Sequence, residues 1–276
     1  MTHPALSPGR VAIVTGAASG IGLATCKRFA SFGMNVCLAD IAEAELSAAR
    51  EAVAEVAVGG SDDVIAVLTD VADPADMAAL KARIDEAFGR VDVLMNNAVT
   101  REKAGTWQDA ETWRQTMEVN LWGVINGVQA FVPSMIEQAT PCLVVNSGSK
   151  QGITNPPGNS PYNVAKAALK AYTELLQHEL RNTDGCAISA HLLIPGMTAT
   201  GAREPRPGSW SADQVVDMLI DAVNQGDFYI LCPDGEVTPE IDRKRILWAA
   251  GDIVDHRAPL SRWHPDYADA FAAFLP

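Results

Sequence analysis

The sequence predicts an α/β fold, a doubly wound parallel sheet of about seven strands with helices on both faces. Two observations carry this expectation. Short apolar runs alternate with helix-period segments along the chain, the arrangement that joins parallel strands through helical crossovers. Within each run the residues are continuously apolar rather than alternating, as strands covered on both faces require.

Taken in order, strands are expected at residues 11–15, 35–39, 64–68, 91–95, 143–145, 188–194 and 227–232. Helices are expected between them at 20–32, from about Ala42, at 74–88, at about 109–135, at about 161–181 and from near Ser211. Pro74 suits a first helical turn, with Asp73 as the preceding cap. Short helices are expected at 241–250 and 265–274. No internal repeat or linker divides the 276 residues, so the expectation is one domain over 1–276, with a substrate loop at about 197–212 and a C-terminal tail at about 234–276. Ligands of such sheets bind beyond the carboxyl ends of the strands, which makes the residues just after each strand the functional candidates.

Composition excludes several classes. A net charge of −13 repels phosphate backbones and anionic lipid, so nucleic acid and membrane are poor partners. No apolar run reaches the roughly 18 residues of a membrane span, and no signal peptide is evident at the start. The five cysteines are scattered, with no C-x-x-C, which points to a reducing cytoplasm. The five histidines lack metal-ligand spacing, and no metal is expected.

Residues 15–22, TGAASGIG, follow the first strand and open the first helix. Gly16 permits a tight turn, Gly20 lets backbone approach a pyrophosphate, and Gly22 lets helix and strand pack closely. The free N–H groups and positive end of that helix suit an anion. The pattern is the one expected of a Rossmann-type dinucleotide site. Asp40 ends the second strand, 18 positions beyond Gly22. Its carboxylate can accept from adenosine ribose hydroxyls and would repel a 2′-phosphate. Neither Ser19 nor Ile41 is a cation that would offset that repulsion, so NAD is favoured over NADP.

Tyr162 and Lys166 are four apart in a predicted helix and share a face. A neighbouring ammonium favours phenolate, which fits Tyr162 to exchange a proton with an alcohol or carbonyl oxygen. Ser149 lies just past the fifth strand, where its hydroxyl can hold the substrate oxygen; Ser147, closer to the strand, is the structural serine. Asn120, inside the 109–135 helix, has a side chain able to hold a water linking Lys166 to solvent.

With this set in this order, the chain resembles the short-chain dehydrogenase/reductase family. The resemblance rests on Thr15 through Gly22, Asp70-Val71, Asn96-Asn97-Ala98, Asn120, Ser149, Tyr162, Lys166, and Pro195-Gly196 through Thr200, and it spans Val11 to about Thr200. It implies a catalytic tetrad of Asn120, Ser149, Tyr162 and Lys166. It implies cofactor contacts from Gly16, Ser19, Gly20, Ile21 and Gly22, with Asp70 and Val71 at the adenine and Asn97 and Ala98 along the ribose side. Lys166 would hold the nicotinamide ribose, and Pro195, Gly196 and the backbone of Thr198 would meet the nicotinamide, with Thr200 near the carboxamide or phosphates. It also implies a homodimer or homotetramer built on the helices carrying Asn120 and Tyr162. The chain departs from the family pattern in three places: Val99 replaces the glycine of N-N-A-G, Thr198 replaces an apolar β-branched residue, and the common V-D-G-G ending is missing, so that the tail covers the active site or a neighbour's.

The implied function is NAD-dependent hydride transfer between a secondary alcohol and a ketone. The rival readings are a redox-silent NAD-binding protein, which would need a damaged catalytic set, and a lyase on the same scaffold, such as a halohydrin dehalogenase, which would lack Lys166 and the glycine turn. Val99, Gln151, Asn159, Met197 and Trp210 are the substrate-pocket candidates; their apolar-and-amide mix predicts an uncharged, medium-sized substrate. Lys150 is expected to be solvated, with a salt bridge to an acidic substrate as its alternative.

Overall fold

The computed structural model describes residues 2–200 and 207–275. Nine strands occur among them: β1 Val11–Thr15, β2 Asn35–Asp40, β3 Val64–Leu68, β4 Val93–Asn96, β5 Cys142–Ser147, β6 Ile188–Ile194, β7 Thr198–Ala199, β8 Trp210–Ser211 and β9 Tyr229–Leu231. The helices are α1 Gly20–Ser31, α2 Glu43–Ala54, α3 Pro74–Ala87, α4 Ala110–Met117, α5 Gly123–Glu137, α6 Gln151–Thr154, α7 Ser160–Arg181, α8 Ala212–Gln225, α9 Pro239–Val254 and α10 Ala268–Phe274.

Seven strands form one parallel sheet in the order β3-β2-β1-β4-β5-β6-β9. Successive side chains of a strand point to opposite faces; both faces are covered along β1, β2, β4 and β5, whereas the edge strand β3 leaves Ala66 and Leu68 exposed, contrary to the expectation of strands covered on both faces. Ala12, Val14, Val36 and Leu38 pack with Phe29 of α1, Leu46 of α2 and Leu219 of α8. Val11, Ile13, Cys37 and Ala39 pack with Leu80 of α3, Phe131 of α5 and Leu176 of α7. The winding reverses between β1 and β4, which opens a crevice at their carboxyl ends.

Three boundaries differ from the sequence expectation for physical reasons. β4 starts at Val93, because the carboxylate of Asp92 takes the Val11 N–H (2.9 Å) and the Arg10 guanidinium (2.9 Å). β5 extends through two polar residues, since Asn146 and Ser147 pair with Leu192 and Leu193, and the Asn146 amide donates to Thr173 Oγ1 (3.1 Å). The helix expected over 109–135 is not continuous: a π turn at Glu118–Trp122 separates α4 from α5. Such a widened turn accommodates an extra residue and often marks a functional position; here it contains Asn120. Gly123 begins the next helix where a Cβ would lie 2.6 Å from Val71 Cγ2, so the helix backbone seats the Val71 side chain just past β3.

The tail is structured. α9 starts on a Thr238 cap, whose hydroxyl accepts from Ile241 N (3.3 Å). Trp248 is buried, bonds Ser261 Oγ (2.7 Å) and meets Phe271 and Phe274 with ring centroids 5.2 and 5.3 Å away. No helix among the described residues is long and apolar enough to cross a membrane.

Candidate active site

The glycine turn leaves β1 and enters α1 as the motif requires. Gly16 (φ +65°) and Gly20 (φ +55°) are left-handed, a region glycine occupies without strain. A Cβ on Gly16 would lie 2.7 Å from Ala98 Cα, and one on Gly20 would lie 2.8 Å from Thr200 Cβ. Gly22 could carry no Cβ without striking the Gly16 carbonyl oxygen. Ser19 stands at the cap position of α1 but makes no side-chain cap bond, so the first-turn N–H groups around Ile21 face the crevice unscreened by a hydroxyl. Asp40 closes the far rim: one carboxylate oxygen accepts from Ala18 N (2.9 Å), the other from Ala42 N (3.1 Å). Backbone donors beside a carboxylate at a strand end fit a dinucleotide, with pyrophosphate at the helix and ribose at the acid.

The neighbouring strand ends complete this edge. Asp70 accepts from Ala72 N (2.9 Å), and Val71 is buried, its carbonyl taken by the Asn126 amide (2.9 Å). Asn97 is locked to the turn. Its N–H and that of Ala98 both donate to Thr15 Oγ1 (2.9 and 3.2 Å), its amide donates to the carbonyls of Thr15 (3.1 Å) and Gly16 (3.2 Å), and its carbonyl accepts from Ser147 Oγ (3.2 Å).

Past β5, Ser149 precedes the short α6, and its hydroxyl accepts from Gln151 N (3.2 Å). Gly152 lets α6 lie against α7, since a Cβ there would fall 2.5 Å from the Lys166 carbonyl carbon. On α7, Tyr162 is 6% and Lys166 3% exposed, with the ammonium 5.8 Å from the phenol ring centroid. Lys166 Nζ donates to the Ser147 carbonyl (2.7 Å), so the serine read as structural positions this lysine. Burial, with the Arg101 guanidinium second, pushes the Lys166 ammonium down to about 7.

The Asn120 amide is held by the backbone of Thr100, accepting from its N–H (2.8 Å) and donating to its carbonyl (2.9 Å). It therefore clamps the segment after β4, and one N–H and one lone pair of the amide remain for a water.

A cavity of about 480 Å³ lies at the α6–α7 end of this crevice, and the glycine turn, Asp40, Asp70, Asn97, Asn120 and Lys166 are outside its lining. Ser149 and Tyr162 line it, as do Gln151, Asn159 and Met197 among the substrate candidates, and Pro195, Gly196, Thr198 and Thr200 among the cofactor candidates. Val99 and Trp210 are outside the lining. Trp210 instead packs on the α1–α8 core, and its N–H bonds the Met197 carbonyl (2.9 Å), pairing β8 with β7. The substrate loop is seen only in part, because residues 201–206 lie outside those described. Lys150 is neither solvated nor free for a substrate: it pairs with Asp234 (3.1 Å) and Asp242, its side chain 16% exposed. The tail flanks the site instead of covering it. α9 packs on α6, and Asp234, whose carboxylate also takes the Met197 N–H, is its one residue in the lining.

Sequence reasoning missed Arg101, Lys103 and Asp234 as lining residues. Each stands shortly after a strand on the carboxyl side, so the strand-end rule was the signal that could have found them.

A family model described as short chain dehydrogenase matches residues 10–208. The chain is 33% identical over 232 residues to the 1-deoxy-11-beta-hydroxypentalenate dehydrogenase of Streptomyces exfoliatus, covering 80% of this chain and 82% of that one. It is 34% identical over 200 residues to the 3-oxoacyl-[acyl-carrier-protein] reductase of Thermotoga maritima, covering 72% and 78%. Among solved structures it is similar to a short chain dehydrogenase/reductase from Burkholderia phymatum in complex with NAD, with a TM-score of 0.82, 32% identity and coverage of 91% and 96%. It also resembles an NAD+-bound xylitol dehydrogenase, with a TM-score of 0.65, 27% identity and coverage of 70% and 72%. The chain belongs to the short-chain dehydrogenase/reductase family, oxidoreductases that act on an alcohol or ketone with a nicotinamide dinucleotide.

Proposed function

We propose that this protein is an NAD-dependent dehydrogenase of a secondary alcohol, or reductase of the matching ketone, with Tyr162 as its proton-transfer residue. The observation that carries the reading is the convergence of Ser149 and Tyr162 on one cavity, with the Lys166 ammonium one helical turn behind the phenol.

Nicotinamide, when bound, supplies the hydride acceptor or donor. Everything else belongs to the chain. Ser149 and Tyr162 hold the substrate oxygen by hydrogen bonds, and Tyr162 takes the hydroxyl proton during oxidation or returns one to the carbonyl during reduction. Lys166, fixed by the Ser147 carbonyl, favours the phenolate whenever it is charged. Proton relay from Lys166 to solvent is assigned to a water near the π turn at Glu118–Trp122 that carries Asn120, whose amide keeps one N–H and one lone pair beyond its bonds to Thr100. Gly16, Ser19, Gly20, Ile21 and Gly22 would hold the pyrophosphate, Asp40 the adenosine ribose, Asp70 and Val71 the adenine, Asn97, Ala98 and Lys166 the ribose side of nicotinamide, and Pro195, Gly196, Thr198 and Thr200 its ring and amide.

Asp40 supports NAD over NADP, since it already faces the turn through Ala18. A homodimer or homotetramer through the helices carrying Asn120 and Tyr162 is supported by Trp122 and Val164, apolar side chains left exposed there. Following NADH absorbance across a panel of secondary alcohols and ketones, with NAD and separately with NADP, tests the reading. Turnover with NAD is expected, and silence across the panel would remove it.

A further inference from the structure

The cavity beside Tyr162 is cationic, in a chain whose net charge is −13. Arg101, Lys103 and Lys150 line it, and among the described residues Asp234 is the one carboxylate in the lining. Lys150 and Asp234 are already paired with each other at 3.1 Å, and Asp242 adds a second carboxylate to that lysine. The local charge of Lys150 is therefore spent. Among the described residues no carboxylate lies within ion-pair distance of Arg101 or Lys103. Among the described residues, these two positive charges have no counter-ion at the mouth.

These two cations stand on an anchored segment. On one side, Thr100 is clamped through both its N–H and its carbonyl by the buried Asn120 amide. On the other, the Gly105 carbonyl accepts from Trp113 Nε1 (2.9 Å), the Ala104 carbonyl accepts from Ser160 N (3.4 Å), and the hydroxyls of Thr106 and Ser160 are bonded at 2.9 Å. Residues 101–103 thus form a short bridge pinned at both ends over the start of α7. They belong to the reacting end of the crevice, not the adenine end: the Arg101 guanidinium is close enough to Lys166 to help depress it, whereas Asp40 marks the opposite end.

We propose that the substrate of this oxidoreductase carries a carboxylate, received by Arg101 and Lys103 at the cavity mouth while its carbinol carbon lies against Ser149 and Tyr162. This rests on the dehydrogenase reading of the same site and names its substrate class. A guanidinium presents a planar fork that a carboxylate meets with two parallel hydrogen bonds, and the lysine adds a mobile charge beside it. A cavity of about 480 Å³ holds a medium-sized molecule with its acid at the rim and its alcohol inside. The uncharged substrate expected from Gln151, Asn159 and Met197 describes only the inner wall.

The test uses matched secondary alcohols that share one ring skeleton: the hydroxy acid, its methyl ester, its primary amide and the phosphate monoester that replaces the acid. The readout is the ratio of kcat/KM for acid over methyl ester, in the wild type and in R101Q, K103Q and the double variant. The wild type is expected to prefer the acid by at least about tenfold, a preference that weakens with added salt as exposed charge pairs do. The double variant is expected to lose at least tenfold of that ratio. A ratio near one in the wild type, an unchanged ratio in the double variant, or a phosphate monoester outrunning the acid would each overturn the proposal. If none of these compounds is oxidised, the dehydrogenase reading is decided by the wider alcohol and ketone panel, and the acid site is read by calorimetry on the full chain mixed with NAD. Acid binding at least tenfold tighter than amide, abolished in the double variant, supports the site; equal binding of acid and amide removes it. Thermal melts of the variants confirm that they are folded.

Discussion

Lys150 and Asp242 are joined by an ion pair that ties helix α9 of the tail to the residue directly after Ser149. The acid is nearly enclosed, its side chain 6% exposed, and burial pushes its carboxyl up despite the lysine beside it. Lys150 also holds Asp234, which in turn takes the Met197 N–H on the loop after β6. One ammonium therefore spaces two carboxylates and fixes two walls of the cavity.

Lys150→Met should accordingly be the most disruptive conservative change near the site. It leaves Asp234 and Asp242 facing each other without a cation, and breaking a buried pair in this way costs about 3 kcal/mol. Asp242→Asn should cost less, because burial already disfavours its charge. The double variant K150M/D242N should recover part of the loss. Denaturant unfolding of the three variants checks the order, and K150M no less stable than D242N would show that the pair does not hold the tail.

Tyr162→Phe removes the hydroxyl from the cavity while keeping the ring under Lys166. If the phenol moves the proton, kcat should fall by at least about 100-fold, the low end of general acid–base effects, with NAD affinity little changed. Retained turnover in steady-state assays would assign the proton to another group.

The sequence made the sheet and the glycine turn legible because both follow short-range rules. Residues 11–14 and 192–194 are unbroken apolar runs, and Gly16, Gly20 and Gly22 occupy positions where a Cβ collides. The π turn was not legible, since 118–122 has ordinary helix formers and the break arises where Gly123 meets Val71, a contact distant in sequence. The partners of Lys150 were hidden for the same reason: Asp234 and Asp242 lie 84 and 92 residues away. Periodicity gave no hint that Asn120 clamps Thr100, 20 residues before it.

Lys166 gives the protein a pH signature. An ordinary lysine titrates near 10.5, and this one is pushed down to about 7 by burial and by Arg101. Below about pH 7 both folded and unfolded chains hold the proton and the group contributes no slope. Between the two values the unfolded chain binds more protons than the folded one, so stability rises with pH. Without added cofactor, the wild type should gain stability relative to Lys166→Met on going from about pH 7 to about pH 10. Melting curves of both proteins across that range check the sign, and a falling difference would contradict a buried lysine that prefers to be neutral.

Asn120→Asp tests the clamp on Thr100. The carboxylate still accepts from the Thr100 N–H, but it sets an oxygen against the Thr100 carbonyl where the amide donated. Leaving such a buried group unsatisfied costs about 1–3 kcal/mol. The variant should lose that stability, and the bridge at 101–103 should loosen with it, so KM should rise more than kcat falls. A loss confined to kcat with an unchanged melting temperature would assign the side chain to the relay alone.

Cofactor choice should move with two positions at the end of β2. Asp40 sets a negative charge beside the glycine turn, and Ile41, 65% exposed, is open to replacement at little packing cost. Asp40→Ser removes the repulsion that a 2′-phosphate would meet, and Ile41→Arg supplies a fork for it. Because the Asp40 carboxylate also accepts from Ala18 and Ala42, the serine variant alone should weaken binding of both nucleotides by loosening the turn. The double variant D40S/I41R should then raise the NADP-to-NAD ratio of kcat/KM at least about tenfold, equivalent to 1.4 kcal/mol. The ratio is the discriminating quantity, since loosening alone lowers both terms together. A double variant that binds both nucleotides less well with its ratio unchanged would mean that Asp40 serves the turn and does not select the ribose.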